Sequence, residues 1–279
     1  MIGMKELNKF CMNAMTKTLR KVAPALALKY AKNVLFTPKR APSKWPNHVK
    51  QFNSPTRYGD VCTYKYGSGK SKCIWLIHGW SGSAFDFWPL MQKLAEKGYS
   101  TITFDFPSHG QNKGKSTSLP QMIKVFEDVS ASLLEPHLVI THGMGASVVA
   151  NSGWLKSYQS DLLLISPILD TYKLLQNLVS KADFDQQLFD RTIAELNKRE
   201  KTDFSSLNAI PALSQFGGVL KVMHDKHDAL APLMMSKQLS KDSNATLITT
   251  NKLGHNKILR SRSLLNTVES YIQKPLQGV

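Results

Sequence analysis

From residue 60 onward, short apolar runs alternate with longer segments in which apolar residues recur at helical spacing. The short runs are typical of buried strands. The candidates are Val61–Tyr66, Cys73–Ile77, Ser100–Asp105, Leu138–Thr141, Asp161–Ile165, Val219–His224 and Ala245–Thr249. This alternation predicts an α/β fold with a mostly parallel sheet and helices on both faces.

The segments between the strand candidates carry helix signals. Apolar residues recur at helical spacing from Ala84 to Leu94, and Gly98 follows where a C-terminal cap belongs. Ser118 and Gln121 have the spacing of a capping box, which predicts a helix from there to about Leu134. The last predicted helix has one apolar face, which is made of Leu264, Leu265, Val268, Tyr271 and Ile272.

The alternation is interrupted at residues 167–216, which show two helical patterns and no strand between them. We interpret this segment as a small helical cap inserted over the carboxyl ends of the strands, where open α/β sheets bind ligands. Its predicted role is a lid or a substrate wall. The alternative is a pair of ordinary packing helices.

Length and charge divide the chain into two parts. Its 279 residues, 42% of them hydrophobic, suffice for one large domain, which we place at residues 51–279. Residues 1–50 form a basic N-terminal extension with eleven Lys or Arg and one acid, Glu6, out of a net charge of +16. We expect a helix there that packs on the domain through its apolar side. The alternative partner is an anionic membrane surface bound through residues 1–40.

The same counts exclude some classes of protein. No apolar run is long enough for a membrane-spanning helix, and residues 22–28 are too short and too charged at their flanks for a secretory signal. Three cysteines favour a reducing compartment, so we expect a cytoplasmic protein. No specific binding of nucleic acid is expected.

Candidate chemistry lies where strand candidates end. His78-Gly79-Trp80 follows one strand, and Thr141-His142-Gly143-Met144-Gly145 lies between another strand and an apolar helix. The second layout is that of a nucleophile elbow, in which a sharp turn raises a serine hydroxyl above the sheet. Here the residue at the apex is Gly143.

The chain also offers a base and an acid in the order that such a site needs. A hydroxyl nucleophile requires a base, and the base requires a carboxylate to orient it. His255 is the candidate base, and Asp225 and Asp228 are rival acids. We favour Asp228 because the Ala-Leu-Ala-Pro after it matches the approach to a helix.

These segments together resemble the α/β-hydrolase superfamily over about residues 55–279. The His-Gly-Trp and the closing Leu-Gly-His-x-x-Ile-Leu-Arg, residues 253–260, are similar to a bacterial group of serine hydrolases. The resemblance implies an acyl-enzyme mechanism on a small carboxylic ester or related acyl compound, without a cofactor. It places the acid at Asp228, the base at His255 and the oxyanion hole at the N–H groups of Trp80 and Met144.

By the same resemblance, the nucleophilic serine maps onto Gly143 and the first elbow glycine onto Thr141. Glycine tolerates a positive φ, so we expect a folded chain that lacks the nucleophile, whether the glycine is natural or introduced. The alternative is a non-catalytic pseudo-hydrolase that serves as a binding or scaffold protein.

Other residues near these segments are assigned structural roles. His142 is expected to pack beneath the elbow, and His109 to shape the loop after its strand. Ser147 is expected to face helix packing, and Ser81 and Ser83 lie in a loop without an elbow. His224 and His227 with two aspartates form an incomplete metal-ligand set, so no metal site is predicted.

Overall fold

The computed structural model describes residues 4–40, 43–69, 72–159 and 161–272; residues 1–3 of the N-terminal extension and 273–279 of the predicted domain lie outside them. The described strands form one eight-stranded sheet in the order β1-β2-β4-β3-β5-β6-β7-β8. Their bounds are β1 Lys50–Ser54, β2 Val61–Tyr66, β3 Cys73–Ile77, β4 Ser100–Phe104, β5 Leu138–His142, β6 Asp161–Ile165, β7 Leu220–Asp225 and β8 Thr246–Thr250.

The sheet is mostly parallel. The strands from β4 through β3, β5, β6 and β7 to β8 pair in parallel, whereas β1 pairs with β2 and β2 with β4 in antiparallel register. The carboxyl ends of the parallel strands therefore meet at one edge, where β5 delivers His142 and β7 delivers Asp225. The predicted fold class is confirmed.

Helices cover both faces of this sheet. They are α1 Met4–Val22, α2 Pro24–Phe36, α3 Trp88–Glu96, α4 Leu119–Ala131, α5 Met144–Ala150, α6 Thr171–Lys181, α7 Gln186–Glu200, α8 Ala209–Ser214, α9 Leu233–Asp242, α10 Gly254–Lys257 and α11 Arg262–Ile272. One core layer contains apolar residues of α2, α4, α5, α8 and α9, and the other contains those of α3 and α11. Because the sheet is buried on both faces, the central strands consist of continuous apolar runs.

Capping residues set the helix starts. Ser118 accepts a hydrogen bond from the Gln121 N–H at 3.4 Å and begins α4. This helix ends at Ala131, three residues before the predicted Leu134. Gly98, after α3, has a φ of +81°, which fits its predicted place beyond a helix end.

Residues 167–216 hold α6, α7, a 3₁₀ turn at Phe204–Ser206 and the short α8. Both predicted helical patterns are present, and within the described residues this segment contains no strand, only an isolated bridge between Asp170 and Asn208. Its role as a cap stays a prediction.

The N-terminal extension lies against α7. Ala27, Leu28 and Ala31 on α2 are buried in the core layer that also holds Leu188 and Phe189 of α7. Pro24 separates α1 from α2 at the start of the second helix. The expected packing through an apolar side is thus seen in α2.

Candidate active site

The turn after β5 has the geometry of a nucleophile elbow. Gly143 stands at its apex with φ 53° and ψ −119°, and α5 begins at the next residue, Met144. The Gly143 N–H donates to the Ile165 carbonyl on the neighbouring strand at 3.0 Å. Thr141 and Gly145, before and after the apex, are buried. The positive φ favours glycine at the apex.

His255 faces this apex. A Cβ built on Gly143 would lie 3.1 Å from the His255 Nε2 and 3.5 Å from its Cε1. A serine side chain at this position would therefore place its hydroxyl beside the ring nitrogen. This arrangement joins β5 to the turn after β8, which are 112 residues apart in the chain (255 − 143).

Asp228 holds the other ring nitrogen of His255. Its Oδ2 lies 2.8 Å from the His255 Nδ1, and its Oδ1 accepts hydrogen bonds from the N–H groups of Leu230 and Ala231 at 2.9 and 2.8 Å. Burial by itself would raise the pKa of Asp228, but these hydrogen bonds and those from the histidines hold it well below its usual range. The carboxylate is therefore ionised, the His255 Nδ1–H donates to it, and Nε2 is left as the basic nitrogen.

His224 is a further neighbour of this carboxylate that the sequence did not single out as part of the site. Its Nε2 donates to the Ala231 carbonyl at 3.0 Å and lies 3.4 Å from the Asp228 Oδ2. Its Nδ1 accepts from the Ser236 hydroxyl at 2.7 Å. The only sequence signal is its place four residues before Asp228, at the end of a buried strand.

The rival acid, Asp225, connects two turns instead. It accepts hydrogen bonds from the His227 N–H at 2.9 Å, the Thr250 hydroxyl at 2.8 Å and the Leu253 N–H at 3.0 Å. Burial would raise its pKa, but these bonds and one from the Gly254 N–H lower it to about 2. Asp225 thus fixes the turn that carries His255.

The loop after β3 lies directly on the elbow. A Cβ on Gly79 would lie 2.7 Å from the His142 carbonyl oxygen and 3.0 Å from the Met144 nitrogen, so only glycine allows this approach. Trp80 and Met144 both line the cavity in front of His255. Among the described residues, neither N–H donates to a backbone carbonyl of another segment.

Two buried histidines hold that loop in place. The His78 Nε2 accepts from the Phe106 N–H at 3.1 Å, and its Nδ1 donates to the Gly79 carbonyl at 2.8 Å. The His109 Nε2 accepts from the Ser81 N–H at 3.1 Å. Burial lowers the pKa of His78 to about 4 and that of His109 to about 3, so both are neutral at pH 7. His109 therefore also shapes the loop after β3, beyond its own loop.

His142 joins the elbow to the base. Its ring is buried 4.7 Å from the His255 ring, and its Nε2 donates to the His255 carbonyl at 3.0 Å. Burial, and then the neighbouring His255, lower the pKa of His142 to about 4. A neutral His142 thus holds the backbone of His255 in place through this hydrogen bond.

The other serines near the site have structural partners. Ser147 is buried in α5, and its hydroxyl donates to the Ile168 carbonyl. The Ser81 hydroxyl accepts from the Lys39 N–H at 2.9 Å, and Ser83 and Asp86 form a capping box at the 3₁₀ turn Ala84–Phe87. None of these contacts directs a hydroxyl at His255.

A cavity of about 1190 Å³ opens in front of His255. Its walls come from the loop after β3, from Leu174, Leu175 and Leu178 on α6, and from Val34 and the following residues of the N-terminal extension. The sequence predicted the wall from residues 167–216. The sequence gave no signal for the extension's contribution, because α2 meets residues 167–216 only through tertiary packing.

Neither a metal-binding cluster nor a membrane-spanning helix is seen in the described part of the chain. Among residues 4–40, 43–69, 72–159 and 161–272, no group of three or more His, Cys, Asp or Glu side chains is placed to hold a metal ion. In the same residues, no helix has both the length and the apolar character needed to cross a membrane.

A family model and several solved structures match this chain. A model of the alpha/beta hydrolase family matches residues 76–261. No match was found among curated proteins. A structure of an esterase from Pyrococcus furiosus superposes with a TM-score of 0.62 at 19% identity, covering 85% of this chain and 96% of that one.

Two further solved structures share this fold. The thioesterase domain from the curacin biosynthetic pathway gives a TM-score of 0.59 at 16% identity, covering 80% of this chain and 99% of that one. A bromoperoxidase from Bacillus anthracis gives 0.59 at 13% identity, covering 81% and 100%. The named activities of the three neighbours differ, so the likeness concerns the fold.

Proposed function

The chain belongs to the alpha/beta hydrolase family, and from this premise we propose that it carries an ester-hydrolase site whose nucleophile position is occupied by Gly143. The chain binds a carboxylic ester or a related acyl compound in the cavity before His255. It forms no acyl-enzyme there, because glycine has no hydroxyl to acylate.

One observation carries this proposal. The His255 Nε2 lies 3.1 Å from the position of a Cβ on Gly143, while its Nδ1 lies 2.8 Å from a buried carboxylate. A base oriented by an acid and aimed at an elbow apex is the arrangement that activates a serine hydroxyl.

Each remaining residue has a role in the same scheme. In a chain with serine at 143, His255 takes the hydroxyl proton, and Asp228 stabilises the imidazolium that forms. The N–H groups of Trp80 and Met144 receive the oxyanion. With glycine at 143, His255 is left to activate water alone, which forgoes the covalent step and most of the rate.

The named activities of two structural neighbours favour acyl chemistry. One is an esterase and another a thioesterase domain, and both reactions attack an acyl carbonyl. The second candidate function is a non-catalytic binding or scaffold protein. It is favoured by Gly143 itself, since a site without the nucleophile retains its cavity.

Hydrolysis of p-nitrophenyl esters tests the proposal in three proteins: the chain itself, Gly143→Ser, and Gly143→Ser with His255→Ala. We expect Gly143→Ser to raise kcat/KM by at least about a hundredfold over the chain itself, and His255→Ala to remove that gain. Esters of several acyl lengths are compared, because a cavity of about 1190 Å³ has room for more than a short acyl group.

Two results would contradict the proposal. Activity of the glycine chain equal to that of Gly143→Ser would mean that another residue is the nucleophile. A folded Gly143→Ser protein without activity on any ester would show that the site is not an ester-hydrolase site, and would leave the binding protein as the function.

A further inference from the structure

The cavity before His255 is apolar in its depth and positively charged at its mouth. We infer that its ligand is an anionic amphiphile: an acyl or alkyl chain whose head group is a carboxylate or a phosphate. The inference rests on the proposed function in taking this cavity as the ligand site, and it adds the charge of the ligand.

The inner wall is made of aliphatic and aromatic side chains. Leu174, Leu175 and Val179 of α6 line it together with Phe184 and Phe204. A cavity of about 1190 Å³ with such a wall removes an alkyl chain from water, at roughly 25 cal/mol for each Å² of apolar surface buried. The tail of the ligand belongs in this part.

The apolar lining continues to the solvent. Val34 of α2, Leu178 of α6 and Leu230 after β7 line the same cavity and are 52%, 43% and 42% exposed. Single exposed apolar residues are common on proteins, but these three converge from separate segments on one opening. They provide a path for an amphiphile tail.

Three cations line the same cavity and are exposed. Lys39 follows α2, Lys257 ends α10, and Arg260 lies in the next turn. No carboxylate of the described residues lies within 4 Å of the ammonium group of Lys39 or Lys257. Both ammonium groups therefore remain available to an anionic ligand.

The other titratable groups in the lining do not cancel this charge. Asp86 is the acidic residue there. Burial raises the pKa of its carboxyl, and this is opposed by the Ser83 N–H, which donates to Oδ2 at 2.8 Å, and by the charge of Arg260. His142, His227 and His255 also line the cavity. Three cations thus face one carboxylate in the lining, and an anionic head group complements the excess of positive charge.

Isothermal titration with monomeric amphiphiles of equal chain length tests the inference. Laurate and dodecyl phosphate are compared with dodecanol, which has the same tail and no charge. We expect both anions to bind about tenfold more tightly than dodecanol at low salt, with a smaller difference at high salt. Preference for only one anion identifies the head group as carboxylate or phosphate, and either result supports the inference.

The charge requirement is tested by two matched double variants. Lys39→Gln with Lys257→Gln is expected to reduce the preference for anions to about twofold and to leave dodecanol binding unchanged. Lys237→Gln with Lys241→Gln removes the same charge from α9, outside the cavity, and is expected to retain the preference. Leu178→Glu, at a half-exposed position, is expected to weaken the anions more than dodecanol.

Equal binding of anions and dodecanol, no binding of any of them, or an equal loss of preference in both double variants would overturn the inference. These measurements use the Gly143 chain and require no turnover. A Gly143→Ser protein that hydrolyses neutral esters without any preference for anions would therefore uphold the proposed function and reject this inference alone.

Discussion

Gly143 combines a backbone conformation with a close neighbour in a way that restricts the side chain at the elbow. Its φ of 53° and ψ of −119° lie where non-glycine residues are strained by about 1–3 kcal/mol. A Cβ there would also lie 3.1 Å from the His255 Nε2, which is tighter than ordinary contact. The glycine therefore favours stability at the position where a serine would favour chemistry.

A substitution at Gly143 tests whether a side chain at the elbow lowers stability. Gly143→Ala is expected to lower the free energy of unfolding by about 1–3 kcal/mol, measured in urea. In a His255→Ala background the loss is expected to be smaller, because the ring that the Cβ approaches is gone. Gly153→Ala, where a Cβ meets only Glu127 at 3.4 Å, serves as the control. Equal losses in both backgrounds would mean that His255 does not crowd the apex.

At the residue scale, the sequence predicted the contact between His255 and Asp228 that the structure contains, because both follow strands that end at one edge. It did not predict His224 beside Asp228 or His78 beneath Gly79. Those contacts depend on side-chain directions across adjacent loops, which no spacing along the chain encodes.

At the element scale, the N-terminal extension is held to α7 by polar contacts as well as apolar packing. Asp185 caps α7 by accepting the Leu188 N–H at 2.8 Å, and it also binds the Arg20 guanidinium at 2.7 Å. Its own N–H donates to the Thr16 hydroxyl at 3.2 Å. A nearly buried carboxylate, 3% exposed, thus holds α1 and α7 together.

The burial of Asp185 predicts unequal effects of two charge deletions on the extension. Arg20→Ala leaves this carboxylate without its cation and is expected to cost about 1–3 kcal/mol in urea unfolding. Lys32→Ala breaks a pair with Glu195 in which both side chains are about 40% exposed, and is expected to cost less than about 1 kcal/mol. Similar costs for the two variants would argue against Asp185 as the link between α1 and α7.

Elements with a strong pattern were predicted well, and those without one were missed. β2, β3 and β6 have the predicted bounds, and other strands differ at their ends by one residue. β1 was missed because Lys50–Ser54 is a polar edge strand, exposed along most of its length, with pairing on one side supplied by β2. Neighbours rather than composition make it a strand.

At the scale of the whole molecule, buried histidines make the folded state sensitive to acid. His78, His109 and His142 lie at the carboxyl edge of the sheet, and burial lowers their pKa values to about 4, about 3 and about 4. His78 and His109 each accept a backbone N–H at Nε2. Protonation of Nε2 would place a second N–H donor against that backbone N–H.

The sign of the resulting pH dependence follows from proton binding. Below the ordinary histidine value of 6.5 the unfolded chain binds protons that the folded chain does not, so stability falls as the pH drops toward about 4. We expect the free energy of unfolding to decrease by about 2–5 kcal/mol between about pH 7 and about pH 5.

Urea unfolding at the two pH values measures this dependence. His109→Gln is expected to reduce the pH dependence, whereas His48→Gln, which replaces an exposed ring, is expected to leave it unchanged. A stability that is constant over this range would show that these histidines are not held neutral by the fold.

The whole-molecule arrangement could be predicted from the sequence only in outline. Alternating runs indicated the parallel sheet, and the strand order brings Gly143, Asp228 and His255 to one edge. The cavity could not be predicted in full, because Val34 and Lys39 reach it through the packing of α2 on α7, between segments about 150 residues apart.

The central claim is that the site is complete apart from its nucleophile, and covalent labelling with a fluorophosphonate tests it most directly. Intact mass is measured for the chain, Gly143→Ser, and Gly143→Ser with His255→Ala. The account predicts one adduct on Ser at position 143 in the single variant, none on the glycine chain and far slower labelling without His255. A folded Gly143→Ser protein that stays unlabelled, or an adduct on another residue of the glycine chain, would contradict it.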